Sequence, residues 1–224
     1  MLRRRLRREP IQYVLGHADF YGLRLLVDPA VLIPRPETEE VVEALLRELE
    51  GQDGPWVLDV GTGSGAIALA VKHERPDAEV FACDVSADAL DVAAANADRL
   101  GLEATFILAD VLEPAFADGV PACFDVLVSN PPYVPDGERD AMEPEVRDHE
   151  PRLALFTGPD PLRFYRALTG HAERVLKPDG LLLVEAHADH AAAVRDLLGE
   201  ARFRDVGLRK DLAGRDRIVW GRRP

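Results

Sequence analysis

Apolar positions in this chain follow two alternating patterns. Short continuous runs occupy residues 56–60, 79–83, 105–108, 124–129 and 181–185. Such runs read as buried strands of a parallel sheet. Between them lie stretches with an apolar residue every third or fourth position, at residues 65–73, 86–100, 161–176 and 189–198, which read as helices. Ser86 suits the N-cap of its helix. Strand and helix in strict alternation predict a mostly parallel sheet with helices on both faces. Two further strands, near 206–208 and 217–220, predict an antiparallel hairpin at the sheet edge.

The first fifty residues are built differently. Residues 1–17 read as a short basic helix or tail ending at Gly16. Residues 18–33 predict a β-hairpin turning at Asp28-Pro29. A helix follows, with Pro36 in its first turn and Glu37, Glu39 and Glu40 at the positive end of its dipole. Val41, Val42, Leu45, Leu46 and Leu49 form its apolar stripe. Residues 131–158 are rich in Pro, Asp and Glu and read as one long loop.

Candidate chemistry concentrates where strands end. Asn130-Pro131-Pro132-Tyr133 directly follows the run 124–129. Neither proline can donate to a ladder, so the strand stops there. Pro131 also keeps Asn130 out of the helical region. A carboxamide is thereby fixed at the carboxyl end of a central strand, where open α/β sheets bind ligands. Its oxygen and a neighbouring backbone carbonyl can accept both hydrogens of one planar NH2 group. Tyr133 adds an aromatic face and a hydroxyl.

Asp59-Val60-Gly61-Thr62-Gly63-Ser64-Gly65 joins the first strand of the alternation to its helix. Glycines let a ligand approach the main chain. The dinucleotide fingerprint is not met, because residue 66 is Ala66 and the glycines fall at 61, 63 and 65. Asp59 would repel a pyrophosphate and attract an ammonium or sulfonium. Together with the Asn130–Tyr133 turn, this points to S-adenosylmethionine. Asp84, ending the second strand, stands where an acid takes ribose hydroxyls. Asp110 can accept from an adenine amino group while the Val111 amide serves the ring.

Composition narrows the class. Across 224 residues the net charge is −13 and 47% of residues are hydrophobic. An acidic chain is a poor fit to a broad phosphate surface, so no DNA partner is expected. The basic cluster Arg3, Arg4, Arg5, Arg7 and Arg8 is the exception, read as a solvated terminus with RNA or an acidic partner as the alternative. Two cysteines, Cys83 and Cys123, read as small buried thiols. No signal segment or membrane span is visible, and a cytoplasmic protein is expected. His187, Asp189 and His190 lack further ligands at metal-binding spacing, so no metal is expected.

With these motifs in order, the chain resembles the HemK/PrmC family of protein-glutamine methyltransferases. Arg8-Glu9-Pro10-Ile11-Gln12-Tyr13-Val14-Leu15-Gly16 resembles that family's entry segment. Leu32-Ile33-Pro34-Arg35-Pro36-Glu37-Thr38-Glu39 resembles its helix start, and Lys210-Asp211-Leu212-Ala213-Gly214-Arg215-Asp216-Arg217 its final turn. The resemblance implies a class I S-adenosylmethionine-dependent methyltransferase fold, Rossmann-like, with a mostly parallel seven-stranded sheet and a small N-terminal β-hairpin. It implies cofactor contacts at Gly61, Thr62, Gly63, Ser64 and Gly65, at Asp84 with its neighbour Val85, and at Asn130. Asn130, Pro131, Pro132 and Tyr133 would bind a glutamine amide, with Arg35, Glu37 and Thr38 lining the cleft.

The implied substrate is the Gly-Gly-Gln motif of a peptide chain release factor. An amino methyltransferase acting on another protein or on adenine is the alternative, and a non-catalytic cofactor-binding subunit a third reading. Residues 1–34 are expected to be the remnant of a linker after a helical domain, and 35–224 the catalytic domain. Where the family commonly has an aromatic residue after the third-strand acid, Val111 stands here. Ala186, His187 and His190 replace the family's usual residues after the fifth strand.

Overall fold

The computed structural model describes residues Met1–Pro224. Two short helices, α1 (Leu2–Arg5) and α2 (Ile11–Leu15), lead into a hairpin of β1 (His17–Phe20) and β2 (Leu23–Leu26), followed by helix α3 (Pro36–Glu48). The alternation then runs β3 (Trp56–Val60), α4 (Ala66–Glu74), β4 (Glu79–Asp84), α5 (Ala87–Leu100), β5 (Thr105–Leu108) and β6 (Phe124–Ser129). An insertion holds β7 (Val134–Pro135), α6 (Pro144–His149), α7 (Arg152–Leu155) and β8 (Phe156–Gly158). Helix α8 (Arg163–Val175), β9 (Leu176–Glu185), α9 (Ala191–Glu200), β10 (Arg204–Lys210) and β11 (Asp216–Arg222) complete the chain.

Seven strands form one sheet in the order β10-β11-β9-β6-β3-β4-β5. The five from β9 to β5 are parallel, and β11 and β10 run antiparallel at one edge, as the sequence predicts. Successive strand residues face opposite sides, and that parity divides the core. Val57, Val126, Leu181 and Leu183 pack with α3 and α4, while Leu58, Leu127, Leu182 and Val184 pack with α8 and α9. Chain order reverses between β3 and β6, which opens a crevice at their carboxyl ends. No helix is long and apolar enough to cross a membrane.

Four expectations need correction. The hairpin turns at Tyr21-Gly22, not Asp28-Pro29, with φ of 46° and 76° at those two residues. Both central residues of such a tight turn need positive φ, a conformation tyrosine disfavours. The Tyr21 amide donates to Glu39 Oε1 at 2.8 Å, which helps hold the turn. The predicted loop 131–158 carries real elements, because Pro144 sits in the first turn of α6, where its missing N–H costs nothing. Strand β9 extends back through Pro178 to Leu176, past the expected turn. Cys83 is buried, but Cys123 is only half-buried.

The basic N-terminus finds its acidic partner within the chain. Arg8 pairs with Glu145 at 2.7 Å and Arg5 with the same carboxylate at 3.5 Å, tying the first residues to the insertion. These pairs are exposed enough to contribute little individually.

One buried side chain joins the hairpin to the sheet's functional edge. Asn96 on α5 is fully buried. Its Oδ1 accepts from Leu26 N at 2.6 Å, and its Nδ2 donates to Leu26 O at 3.0 Å and Ser64 O at 2.9 Å. The amide thus satisfies both backbone groups of Leu26 in β2 and one carbonyl of the glycine loop. Each buried polar group left without a partner costs about 1–3 kcal/mol. Asn96→Ala should lower the unfolding free energy by about 3 kcal/mol in urea titration; a loss below about 1 kcal/mol would mean water replaces the amide.

Candidate active site

Sheet register sets the level of the site. Val60 lies opposite both Cys83 and Ser129, and Ser129 lies opposite Val184. The next residue on each strand is therefore Gly61, Asp84, Asn130 and Glu185. One glycine, two acids and one amide stand side by side along the carboxyl edge of four strands.

On the β6–β9 side, these residues join a hydrogen-bonded network. Asn130 Nδ2 donates to Thr38 Oγ1 at 3.1 Å, and Thr38 Oγ1 donates to Glu185 Oε2 at 2.6 Å. The Tyr133 hydroxyl donates to Glu185 Oε1 at 3.4 Å. The Pro131-Pro132 pair carries the chain from Asn130 round to Tyr133, so that Tyr133 reaches the Glu185 carboxylate directly and Asn130 reaches it through Thr38. The Tyr133 ring packs against the apolar cluster shared with α8 and α9. Burial raises its phenol pKa, and the Glu185 charge adds to that, so the hydroxyl stays protonated.

Glu185 is 1% exposed, and burial pushes its carboxyl above the usual range. Behind it, Arg217 is paired with Asp211 at 3.2 Å and donates to Ala186 O at 3.2 Å. The Ala186 amide in turn donates to Arg217 O at 2.7 Å. The string 210–217 therefore braces the end of β9. Sequence reading named Thr38 among the cleft residues but gave Glu185 no role. The available signal was the same as for Asp84: a lone acid closing an apolar strand.

On the β3–β5 side, the glycine loop and its acids form a second unit. Asp59 is 1% exposed beneath α4. Its Oδ2 accepts from Thr62 Oγ1 at 2.7 Å and Ala68 N at 3.2 Å, while Oδ1 has no protein partner. Gly63, at φ 55°, donates its amide to Asp84 Oδ2 at 2.9 Å, and Ser86 N donates to Asp84 Oδ1 at 2.9 Å. Two backbone donors fix this carboxylate, and each oxygen keeps a lone pair for a ligand hydroxyl. Asp110 Oδ1 accepts from Leu112 N at 2.8 Å, and the Val111 carbonyl meets His171 Nε2 at 3.1 Å. Gly65 caps α4 at φ 80°, and Ser64 is buried under it. Val85 is exposed beside Asp84.

Other sequence candidates have different surroundings. Arg35 pairs with the buried Glu150 at 2.6 Å, and Glu150 Oε2 accepts from Ile33 N at 3.2 Å. Arg35 thus anchors the insertion to the start of α3. Glu37 is half-buried, close enough for its charge to act on Glu185. His187 lies 5.8 Å from the Tyr133 ring, and its Nδ1 accepts from Asp189 N at 3.3 Å. No three His, Cys, Asp or Glu side chains gather in a metal-binding group.

The orphaned Asp59 oxygen tests whether the expected cofactor fits. A fully buried carboxylate with one unpaired oxygen is costly by itself. Burial raises its pKa to about 7. Because the folded value exceeds the unfolded one, the free protein loses stability as pH rises towards 7. A cation bound nearby in the crevice would offset that cost through its charge, since Oδ1 itself is enclosed, and the open backbone at Gly61 and Gly63 and the Asp84 lone pairs suit the rest of an adenosyl amino acid. The residues fit S-adenosylmethionine. Between pH 5 and 6.5, its affinity measured by calorimetry should rise roughly ten-fold per pH unit as Asp59 ionises. Asp59→Asn should flatten that slope. A slope that survives the substitution would assign the titration to another group.

Residues 52–207 match a family model described as a methyltransferase domain. A release factor glutamine methyltransferase of Chlorobaculum tepidum is 48% identical over 96% of this chain and 75% of that protein. One from Caulobacter vibrioides is 45% identical over 98% of this chain and 75% of its own length. The crystal structure of a release factor-specific protein-(glutamine-N5) methyltransferase from Alicyclobacillus acidocaldarius superposes with a TM-score of 0.54. It is 32% identical, and the match covers 88% of this chain and 98% of that one. A Thermus thermophilus 16S rRNA methyltransferase solved with AdoMet and guanosine shares the fold, at TM-score 0.65 and 21% identity over 93% of this chain and 50% of that one. A class I methyltransferase sheet, a glycine loop with its acids and an Asn-Pro-Pro-Tyr turn thus accompany close sequence kinship, and the chain belongs to the release factor glutamine methyltransferase family.

Proposed function

We propose that this protein methylates the side-chain nitrogen of a glutamine in a peptide chain release factor, using S-adenosylmethionine. The observation that carries the reading is the orientation of Asn130. Its nitrogen is turned towards Thr38, which leaves its oxygen free to accept from a substrate NH2 group. A glutamine carboxamide presents two such hydrogens in one plane. Asn130 Oδ1 takes one, and the Pro131 carbonyl is the second acceptor in this reading.

An amide nitrogen is a weak nucleophile because its lone pair is delocalised into the carbonyl. The bound cofactor supplies a methyl carbon activated by a neighbouring sulfonium. The protein's contribution is to hold the nitrogen still and aimed. Orientation of this kind can lower a barrier by about 7–11 kcal/mol. The two acceptors also stabilise positive charge as it develops on nitrogen. Pro131 and Pro132 stiffen the backbone between them. Tyr133 closes one side of the slot against the amide plane and excludes water. Asp59, the loop 61–65, Asp84, Val85, Asp110 and Val111 hold the cofactor, with Asn130 at the junction of the two halves. Thr38 and Glu37 line the substrate side, and Arg35 supports that wall through Glu150.

The decisive experiment is mass spectrometry of a release factor incubated with the protein and cofactor. One added methyl on the Gly-Gly-Gln glutamine is expected; an unmodified glutamine, or methyl elsewhere, would overturn the reading. Asn130→Ala should lower kcat on the order of 10²–10³-fold, the loss seen when a single preorganised polar contact is removed. Cofactor affinity should stay within about three-fold, since backbone and acids supply most of that contact. An equal loss of cofactor binding would move Asn130 from the substrate to the cofactor.

A further inference from the structure

Glu185 is the one buried acid at the catalytic edge that the mechanism leaves unused. Its contacts carry information about direction. The two ends of a carboxamide are nearly identical in shape, so packing alone does not choose which end of Asn130 faces the substrate. Only the direction of its hydrogen bonds does. A carboxylate has no hydrogen to give, so in the 2.6 Å contact between Thr38 Oγ1 and Glu185 Oε2 the hydroxyl must donate. Thr38 has a single hydrogen, and that contact uses it. The 3.1 Å contact between Asn130 Nδ2 and Thr38 Oγ1 can then run only from nitrogen to oxygen.

We propose that Glu185 is a positioning residue: through Thr38 it fixes the acceptor end of Asn130 towards the glutamine nitrogen, and turnover requires it as a carboxylate. This rests on reading the site as a glutamine-amide pocket. A protonated Glu185 can donate to Thr38, and Thr38 can then donate to Asn130 Oδ1. The relay reverses, and the Asn130 NH2 would face the substrate NH2, donor against donor.

The surroundings of Glu185 set where this reversal falls. Arg217 on β11 favours the carboxylate, and Glu37 on α3 opposes it. The Tyr133 hydroxyl donates to Oε1, and Tyr165 on α8 donates to the Glu185 main-chain oxygen at 3.0 Å. Burial outweighs the favourable contacts, so the carboxyl protonates at a higher pH than an exposed glutamate. Activity should therefore fall as pH drops through that raised value, while exposed carboxylates are still ionised.

The test compares wild type with Thr38→Val, Thr38→Ser and Glu185→Gln, measuring kcat and KM for the release factor across pH. Cofactor affinity by calorimetry reports that each variant is folded. Thr38→Val keeps the shape and cuts the relay, so kcat should fall on the order of 30-fold or more with cofactor affinity unchanged. Thr38→Ser retains the hydroxyl and should recover most of that loss. Glu185→Gln removes the titrating group, so the acid limb of the kcat profile should disappear whatever the residual rate. Wild-type kcat in Thr38→Val, or an acid limb at an unchanged pH in Glu185→Gln, would overturn the relay. If Glu185→Gln does not fold, the Thr38 pair decides alone. Neutron diffraction of the wild type needs no substrate. Deuterons on the Asn130 atom facing Thr38 support the relay, and deuterons on the opposite atom refute it even if the release factor proves not to be the substrate.

Discussion

A carboxamide has a donor end and an acceptor end, and the glutamine-amide pocket proposed for this chain depends on which of them Asn130 turns outward. Several otherwise separate features serve that choice. The pair Pro131-Pro132 ends β6 and fixes where the side chain emerges. Sheet register brings Glu185 to the same level on β9. Helix α3 begins close enough to place Thr38 between them. The buried pair of Arg217 and Asp211 braces the strand that carries Glu185. Loss of any one support would leave the amide free to rotate, and a rotating amide repels half of what it should bind.

The cofactor half solves a different problem with the same materials. There, in the proposed reading, the acids would attract a cation and accept ribose hydroxyls. Asp84 is held by two backbone amides, so its position is set before a ligand arrives. Asp59 is held by Thr62 and Ala68 yet keeps one oxygen unpaired in the core. A fold tolerates such a group where binding makes good the deficit. The two halves meet where the chain order reverses, between β3 and β6, so Asn130 and Gly61 are neighbours. In the proposed function the reacting nitrogen and the activated carbon would reach one crevice from opposite sides.

The sheet and its helices were legible because the parallel strands carry short apolar runs and the helices apolar stripes, and the edge hairpin because two further apolar clusters follow the last helix. The positions of Asp59, Asp84 and Asn130 along the strand ends at the crevice were legible because polar residues stand out against such runs. Tyr21-Gly22 escaped because a tyrosine at positive φ offers no local turn signal, whereas Asp28-Pro29 offers a strong one that the hairpin does not use. Helices α6 and α7 were hidden in a stretch of prolines and acids that is tied to distant parts of the chain chiefly by the buried Glu150, paired with Arg35. Asn96 looks like a surface residue in an alanine-rich helix, yet it is fully buried. Glu185 had the right local signal, but its meaning depends on Thr38, 147 residues away. Local pattern gives elements and exposed chemistry; the supports of a site come from contacts that only the fold creates.

The most direct test is a crystal structure of the protein with a glutamine-containing release factor peptide and the demethylated cofactor. The glutamine nitrogen should lie within about 3 Å of Asn130 Oδ1, with Asn130 Nδ2 still on Thr38. A glutamine bound elsewhere, or one whose carbonyl rather than nitrogen meets Asn130, would contradict the proposed pocket.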